Sequence, residues 1–285
     1  MIVPHYNDLN SLDLCLEALS AQTVAGDDVE IVVADNGSPQ GKAAVQSVIA
    51  GRARLVVVEM RGAGPARNGG VAASRGATLA FTDCDCRPDA AWLAEGLCAL
   101  KAADFVGGRM DVLIDDPQRP TAEEAFELEF AFDNEAYVKQ DGFTVTANLF
   151  CSRAMFDAVG GFKVGVPEDK EWCLRARSMG FRIGYAPRAI VGHPARRNWS
   201  ELSSKWRRLS SEAFNLALQR PAGRLRWLLK TCALPISAVA HTPRVLGSSQ
   251  LKTLDAKAGA LVILYRLRIW RFMRGLQLVF AEGRG

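Results

Sequence analysis

Apolar and polar positions along the first hundred residues alternate between two periods. Short apolar runs fall at Met1–Val3, Glu30–Ala34, Leu55–Glu59 and Thr78–Thr82. Each has the length of a buried strand. The first, second and fourth end in turn or breaker residues: Pro4, Asp35-Asn36-Gly37-Ser38 and Asp83-Cys84-Asp85. Between them the period lengthens to that of a helix. Leu9, Leu12, Leu16 and Leu19 recur at helical spacing over 9–22, and further helices are expected over 41–50, 70–76 and 89–101. Gly62–Gly70 reads as a Gly-rich loop leading into the third of these. Strand-helix alternation with continuous apolar strands predicts an α/β fold built on a parallel sheet covered on both faces.

The rhythm then changes. Phe105–Ile114 is expected as strand, Thr121–Val138 as a helix with an acidic face, and Phe143–Cys151 as strand. A helix over 153–159, a Gly160-Gly161-Phe162 turn, a helix over Glu168–Met179 and short strands at Arg182–Tyr185 and Ala189–Val191 follow. From Asn198, a residue that can cap a helix, the sequence becomes helical and basic. Trp199, Leu202, Trp206, Leu209, Ala213 and Leu216 form one stripe, followed by two basic apolar stretches at 224–241 and 256–280. Neither stretch offers the ~20 uncharged residues that a bilayer crossing needs. Two parts are therefore expected, 1–197 and 198–285.

Charge sharpens that division. Residues 1–195 hold 18 Lys+Arg against 27 Asp+Glu, whereas 196–285 hold 17 against 4, so a net charge of +4 conceals a +13 tail. Such a tail is expected to meet something anionic. At 285 residues with 49% hydrophobic and 23% charged residues, the chain can bury a full core, and disorder and disulfide scaffolds are excluded. Seven scattered cysteines read as buried free thiols in a reducing compartment, and Cys84 and Cys86 lack partners for a zinc set. Met1-Ile2-Val3-Pro4 runs straight into polar residues without a signal peptide, so a cytoplasmic location is expected.

The chemistry concentrates at strand ends. In an open parallel sheet, ligands sit at the carboxyl ends of the strands, where His5-Tyr6-Asn7-Asp8, Asp35-Asn36 and Asp83-Cys84-Asp85 all fall. Each alone is consistent with a solvated turn. Together they place carboxylates at one edge, and Asp83-x-Asp85 offers hard oxygen ligands suited to Mg²⁺ or Mn²⁺ with a diphosphate. Ala66-Arg67-Asn68-x-Gly70 brings a cation to the same edge.

These residues resemble the opening of the family-2 glycosyltransferases with the GT-A fold. The resemblance is carried by Ile2-Val3-Pro4-His5-Tyr6-Asn7, Cys15-Leu16-x-x-Leu19-x-x-Gln22, Ala34-Asp35-Asn36-Gly37-Ser38, Ala66-Arg67-Asn68-x-Gly70 and Phe81-Thr82-Asp83-Cys84-Asp85. Val159-Gly160-Gly161-Phe162, Pro167-Glu168-Asp169 and Tyr185-x-Pro187 to His193 continue it, so it covers about residues 1–195. It implies a mostly parallel, Rossmann-like sheet flanked by helices, with 1–197 as the catalytic domain and 198–285 as a basic helical extension. It implies that Pro4, Tyr6 and Asp35 hold base and ribose, and that Arg67 reaches the nucleotide or its phosphates. Asp83 would bind the nucleotide side of the donor and Asp85 a metal on the diphosphate. Asp169 would be the catalytic base, with Glu168 as its rival. His193 would join the metal or diphosphate site, or else remain a core histidine before Pro194.

An inverting, metal-dependent transfer of one sugar follows from that set, with a nucleotide sugar, expected to be UDP-linked, as donor. The first strand is short, so the N-terminus reads as trimmed relative to the family. Processive members carry Gln-x-x-Arg-Trp, where this chain has Leu202-Ser203-Ser204-Lys205-Trp206. Lys does not replace Arg at a phosphate clamp, so a non-processive enzyme is expected. Trp206 itself reads either as an acceptor-site residue or as core. A sugar nucleotidyltransferase would want a Gly-rich basic loop after strand one, and a non-catalytic GT-A-fold binder of membrane surfaces would not need Asp83, Asp85 and Asp169 together.

In the tail, Leu261, Val262, Ile269, Phe272, Met273, Leu276, Val279 and Phe280 share one side of a helical wheel, with Arg268, Arg271 and Arg274 on the other; Leu264 and Leu267 spoil the pattern. The expectation is peripheral contact with anionic membrane on the inner face of the plasma membrane, and a lipid-linked, polyprenyl-diphosphate saccharide as acceptor in cell-surface or extracellular polysaccharide synthesis. The alternative is a helix packed on the protein or on a partner. Nucleic acid is not expected, since large aliphatics alternate with the charges.

Overall fold

The computed structural model describes residues 1–24 and 29–281. The last four residues of the expected helical region therefore lie outside the described residues. Contacts divide the chain into two compact units: Met1–Asp111, Asp133–Val164 and Glu168–His193 form one, and Val112–Phe132, Gly165–Pro167 and Pro194–Gly285 the other. Whereas the sequence suggests a single cut at 197/198, the second unit also takes the acidic segment Val112–Phe132.

The first unit opens with four strands, β1 (Ile2–His5), β2 (Val32–Asp35), β3 (Arg54–Val57) and β4 (Thr78–Phe81), interleaved with α1 (Leu9–Ser20), α2 (Gly41–Ile49) and α3 (Ala63–Ala73). These strands pair in parallel, with Pro4 opposite Ala34 and His5 opposite Asp35. A two-residue strand β5 (Arg87–Pro88), α4 (Trp92–Ala99) and β6 (Phe105–Leu113) follow. In the second unit comes α5 (Ala122–Phe130). The first unit resumes with α6 (Asn134–Ala136) and the π-turn Tyr137–Asp141, then β7 (Leu149–Ser152), α7 (Arg153–Val159), α8 (Glu168–Ser178) and β8 (Ile183–Pro194). The eight strands lie in the order β3-β2-β1-β4-β7-β6-β8-β5.

The fold is α/β with a mixed sheet. Parallel pairing is confined to the first four strands; β4 with β7, β6 with β7 and β5 with β8 are antiparallel. Ile2, Val32, Leu79, Phe81, Phe105 and Leu149 line the sheet's core, against which Phe156, Phe162 and Trp172 pack. Each contributes about 1.5–3 kcal/mol relative to exposure.

Several local expectations are corrected. The Gly-rich loop at 62–70 is helix from Ala63 onward. Pro65 sits in its first turn, where a missing N–H costs nothing. The glycines serve packing: a Cβ on Gly70 would stand 2.6 Å from Ile2, and one on Gly69 2.4 Å from Val58. The helix expected over 121–138 breaks after Phe130. The two strands expected at 182–191 are one, and β7 begins only at Leu149, after a 3₁₀ turn over Thr146–Asn148.

The second unit is helical: α5, α9 (Trp199–Leu218), α10 (Gly223–Leu246) and α11 (Leu254–Ala281). Thr121 and Glu124 form a capping box on α5, and Asn198 caps α9 by accepting from the Glu201 amide. The core joins Ala125 and Phe126 of α5 with Leu202, Ala238 and Val245, and with Ala260, Ile263, Leu264 and Leu267 of α11. The acidic face of α5 meets basic residues of this same unit. Glu127 accepts from Lys205 Nζ at 2.7 Å and from the Arg196 amide at 2.7 Å; Glu129 accepts from Arg244 at 2.6 Å, and Arg197 lies 3.5 Å from Glu124. Part of the tail's positive charge is thus answered inside the protein.

The wheel drawn from sequence is also corrected. Leu264 and Leu267, the residues that spoiled it, are the buried ones. Arg271 stacks 3.9 Å over the Trp206 ring and Arg274 donates to Ser211 Oγ, so two of the three arginines expected on an outer face point inward. Burial, then the Arg268 charge, pushes Arg271 down to about 10. Trp206 belongs to the core of this unit. Among the described residues no helix is long and apolar enough to cross a membrane.

Candidate active site

The site lies in the first unit at the carboxyl ends of β1, β2 and β4. At the end of β2, Asp35 is almost fully buried. Its Oδ1 lies 2.8 Å from His5 Nδ1 and accepts from Ser38 Oγ, while Oδ2 accepts from the Ser38 amide at 3.1 Å. Burial pushes its pKa up, but the Ser38 and His5 hydrogen bonds outweigh that and hold the carboxyl below its ordinary value. Ser38 Oγ also accepts from the Asn7 amide, where Asn7 takes a left-handed φ of 57°. The chain turns sharply there and leaves Tyr6 50% exposed beside Arg61, whose guanidinium lies 5.1 Å from the ring centroid. Tyr6 is therefore open to a planar ligand. Pro4 lies buried within β1.

Arg67 of α3 is wedged between two carboxylates. Nη2 donates to Asp83 Oδ1 at 2.5 Å and Nη1 to Glu168 Oε1 at 2.7 Å, with 3% of the side chain exposed. Burial would lower its pKa; Asp83 and Glu168 outweigh burial and raise it, so the guanidinium is permanently charged. Its Nε is buried without a hydrogen-bond partner. Both terminal nitrogens are thus engaged by protein carboxylates, and the residue ties the Asp83 turn to α8.

Asn68 secures the same junction. Its Nδ2 donates to Phe162 O and its Oδ1 accepts from the Phe162 amide. A Cβ on Gly161 would meet that amide at 2.8 Å, and one on Gly64 would crowd Lys163 O and Phe162. The motif Ala66-Arg67-Asn68-x-Gly70 is therefore a clamp: it seats α3 on β1 and holds the segment that starts α8.

Asp169, in the first turn of α8, is half-buried, and its Oδ1 accepts from the Lys170 amide at 2.6 Å. Burial and then the Glu168 charge push its pKa up to about 7; Asp83 adds to the rise, and Arg67 opposes it. A carboxyl poised near neutrality suits proton abstraction. Glu168, the rival base, is spent on Arg67.

Asp85 is 34% exposed at its side chain, and its Oδ2 lies 3.4 Å from the buried His193 Nε2. The structure thus joins two residues more than a hundred positions apart, from the β4 turn and the end of β8. One carboxylate oxygen and one imidazole nitrogen suit a divalent ion that takes its other ligands from phosphate and water. Among the described residues no group of three or more His, Cys, Asp or Glu side chains could hold a metal by itself. Burial, then the charges of Asp85 and Asp83, push the Cys84 and Cys86 thiols well up, so both stay neutral. A separate groove of about 520 Å³, lined by Glu135, Lys139, Arg177 and Tyr185 among others, contains none of these groups.

Sequence reasoning missed His5 and Ser38 as holders of Asp35, and Glu168 as the second partner of Arg67. Asn36 was also missed: it accepts from the Gly62 amide and donates to Val58 O and Met60 O, tying β2 to the start of α3. The only signal was position beside recognised motif residues.

Comparisons with known proteins bear on the family and the fold. The family model described as Glycosyl transferase family 2 matches residues 1–163. Glycosyltransferase AglE of Haloferax volcanii is 30% identical over 204 residues, 69% of this chain and 66% of that protein. Among solved structures, the mannosyltransferase PcManGT from Pyrobaculum calidifontis, in complex with GDP-Man and Mn²⁺, superposes with a TM-score of 0.61 at 20% identity, over 99% of this chain and 85% of that one. TarS of S. aureus superposes with a TM-score of 0.52 at 14% identity, over 98% of this chain and 53% of that one. The two superpositions speak for the fold.

Proposed function

This chain belongs to glycosyl transferase family 2, and from that premise we propose that it moves one sugar, with inversion, from a nucleotide-sugar donor to a hydroxyl of an acceptor. The observation that carries the reading is the meeting of Asp83, Asp85, His193, Arg67 and Asp169 around one sheet edge, with Asp169 held near neutral pKa.

Tyr6 and the Asp35 turn form the base and ribose end of the donor site, with UDP as the expected nucleotide. Asp83 faces the donor from the same turn as Asp85. Asp85 and His193 would hold Mg²⁺ or Mn²⁺, which when bound would supply positive charge to the departing diphosphate. The PcManGT complex contains Mn²⁺. Asp169 takes the proton of the acceptor hydroxyl as that oxygen attacks the anomeric carbon. Arg67 pairs with Glu168, leaving Asp169 as the base. With Asp83 and Glu168 both paired to Arg67, Asp169 acts as a single base, which suits direct displacement rather than glycoside hydrolysis.

We place the acceptor on a membrane: a lipid-linked saccharide of cell-surface polysaccharide synthesis, met on the inner face of the plasma membrane. The basic helical unit supports this, and the missing Gln-x-x-Arg-Trp motif supports single additions.

A thermal-shift panel of nucleotide sugars with and without Mn²⁺ tests the donor and metal together. A ligand at a hundredfold excess over Kd stabilises by about 2.7 kcal/mol. The expected result is a shift with a UDP-sugar that needs Mn²⁺ and is lost in Asp85→Asn. A shift with GDP-mannose alone would change the nucleotide, and Mn²⁺ dependence that survives in Asp85→Asn would sink the metal assignment.

A further inference from the structure

The second unit carries an apolar surface that its own core does not use. On α10, Leu225, Leu229, Ile236, Val239 and Leu246 are 53–72% exposed, and at 100° per residue they lie within about 50° of one direction. On α11, Val262, Ile269, Met273 and Phe280 are 50–66% exposed and lie within about 20° of one direction. Scattered exposed apolar residues need no explanation, but two full-length stripes do.

The stripes face the same way. Trp227 Nε1 donates to Gly275 O, and Thr242 Oγ1 bonds Tyr265 Oη, so the helices run antiparallel side by side. From those contact residues to the stripe, the rotation is about 100–120° on each helix, in the same sense along each chain. For antiparallel neighbours that rotation turns both stripes to one side of the pair. The result is a single apolar face about two helices wide and, at 1.5 Å per residue over the 24 residues of α10, about 36 Å long. The α10 flank carries exposed Arg226, with Lys230 one turn beyond it, and on the α11 side the exposed Arg266 stacks 3.9 Å over the Trp199 ring of α9.

We propose that this α10–α11 face lies in the headgroup region of an anionic bilayer, with the two helices parallel to the membrane plane. The choice of lipid rests on charge. The second unit holds 18 Lys+Arg against 10 Asp+Glu, a net +8 even after the α5 glutamates are counted. A second copy would bring +8 against +8, whereas anionic lipid is attracted and long basic side chains reach the headgroups from the flanks. Neither helix can cross the bilayer, which leaves the in-plane arrangement of an interfacial helix. The surface differs from the one the sequence suggests: Arg271 and Arg274 belong to the core, and α10 supplies half the face. The inference rests on the reading of a membrane-borne acceptor, yet it is separable from it, because vesicles without acceptor test the surface and a soluble acceptor tests the chemistry.

Cys232 lies exposed among the α10 stripe residues, and Cys98 is exposed in the first unit. The full chain carrying Cys98→Ser, labelled at Cys232 with a polarity-sensitive fluorophore, is titrated with vesicles of phosphatidylglycerol or phosphatidylcholine. The expected result is a blue shift and co-sedimentation with the anionic vesicles, weakened by salt; the same label at Cys98 in a Cys232→Ser chain does not respond. Ile236→Glu with Ile269→Glu should lower the vesicle partition at least tenfold with an unchanged Tm, since both side chains are exposed. Arg226→Gln with Lys230→Gln should lower it roughly tenfold or more, since each charge near such a surface contributes about a tenfold factor or less. Equal binding to neutral vesicles, or a lipid-free dimer that Ile236→Glu with Ile269→Glu splits, would overturn the proposal. Transfer to a soluble acceptor should survive in all these variants. Its loss with vesicle binding intact would instead count against the catalytic reading.

Discussion

In the first unit a single arginine, Arg67, is wedged between Asp83 and Glu168; in the second a single glutamate, Glu127, is wedged between Lys205 and Arg196. Both central groups are buried, yet the clusters do opposite things. Around Arg67 the carboxylates outnumber the cation, and burial, then the Glu168 charge, push the pKa of a third carboxyl, Asp169, up to about 7. Glu127 itself meets two cations, but with Glu124 and Glu129 the α5 cluster sets three carboxylates against Arg196, Arg197, Lys205 and Arg244, close to balance. Burial raises the Glu127 pKa, but Lys205 and Arg196 outweigh it and bring the carboxyl below its ordinary value. One cluster leaves a proton negotiable; the other fixes helices in register. Buried ion pairs thus signal chemistry where the signs do not balance and architecture where they do.

The largest test breaks the unbalanced cluster. Asp169→Asn should keep donor binding and lose turnover by roughly 10²–10⁴-fold, the worth of a general base. Wild-type transfer rates in that variant would move the base elsewhere. The same variant should raise Tm at pH 8 in metal-free buffer. A carboxyl whose folded pKa is raised contributes stability present below about pH 4 and lost as pH rises through 7, so the gain should fade toward pH 4.

Next comes the balanced cluster. Glu127→Gln leaves Lys205 buried without its counter-charge and should cost about 3 kcal/mol of stability, read by urea denaturation. KM for the donor should not move, and a variant as stable as the parent would show that the cluster contributes nothing net. Glu127 also carries the opposite pH sign: its stabilisation is present above its unfolded pKa and is lost as pH falls through the lower folded value.

Arg271→Gln should destabilise by about 2 kcal/mol, the scale of a desolvated cation–π contact, in this case over Trp206. An unchanged Tm would put the side chain back on the outer face suggested by the wheel. The smallest effect is graded. kcat/KM should fall about tenfold per pH unit below pH 7 as Asp169 takes up its proton, and in Asp169→Asn that limb should disappear.

Much of this was legible in the sequence because it is local. Strand and helix periods placed the first four strands within two residues of their observed ends. Asn198 announced its cap, and Asp83-x-Asp85 and Pro167-Glu168-Asp169 announced carboxylates at turns. The sequence by itself determined the α/β class, the charge division and the placing of carboxylates at turns, since these depend on residue type and near spacing.

Only the tertiary structure decided what those groups touch. That Arg67 would meet Glu168, 101 positions away, depends on how α8 packs beside the Asp83 turn, and that His193 would face Asp85 follows from the pairing of β5 with β8, which sets Arg87 opposite Gly192. A glycine reads as a loop residue until its neighbour is known; position 70 lies in a helix and is glycine because Ile2 leaves no room for a Cβ. The wheel of α11 grouped Val262, Ile269, Met273 and Phe280, which are exposed together, but could not tell that packing covers Arg271 and Arg274. Periodicity finds two faces of a helix, but which face is covered depends on where α5, α9 and α10 lie, and that is a property of packing rather than of the helix.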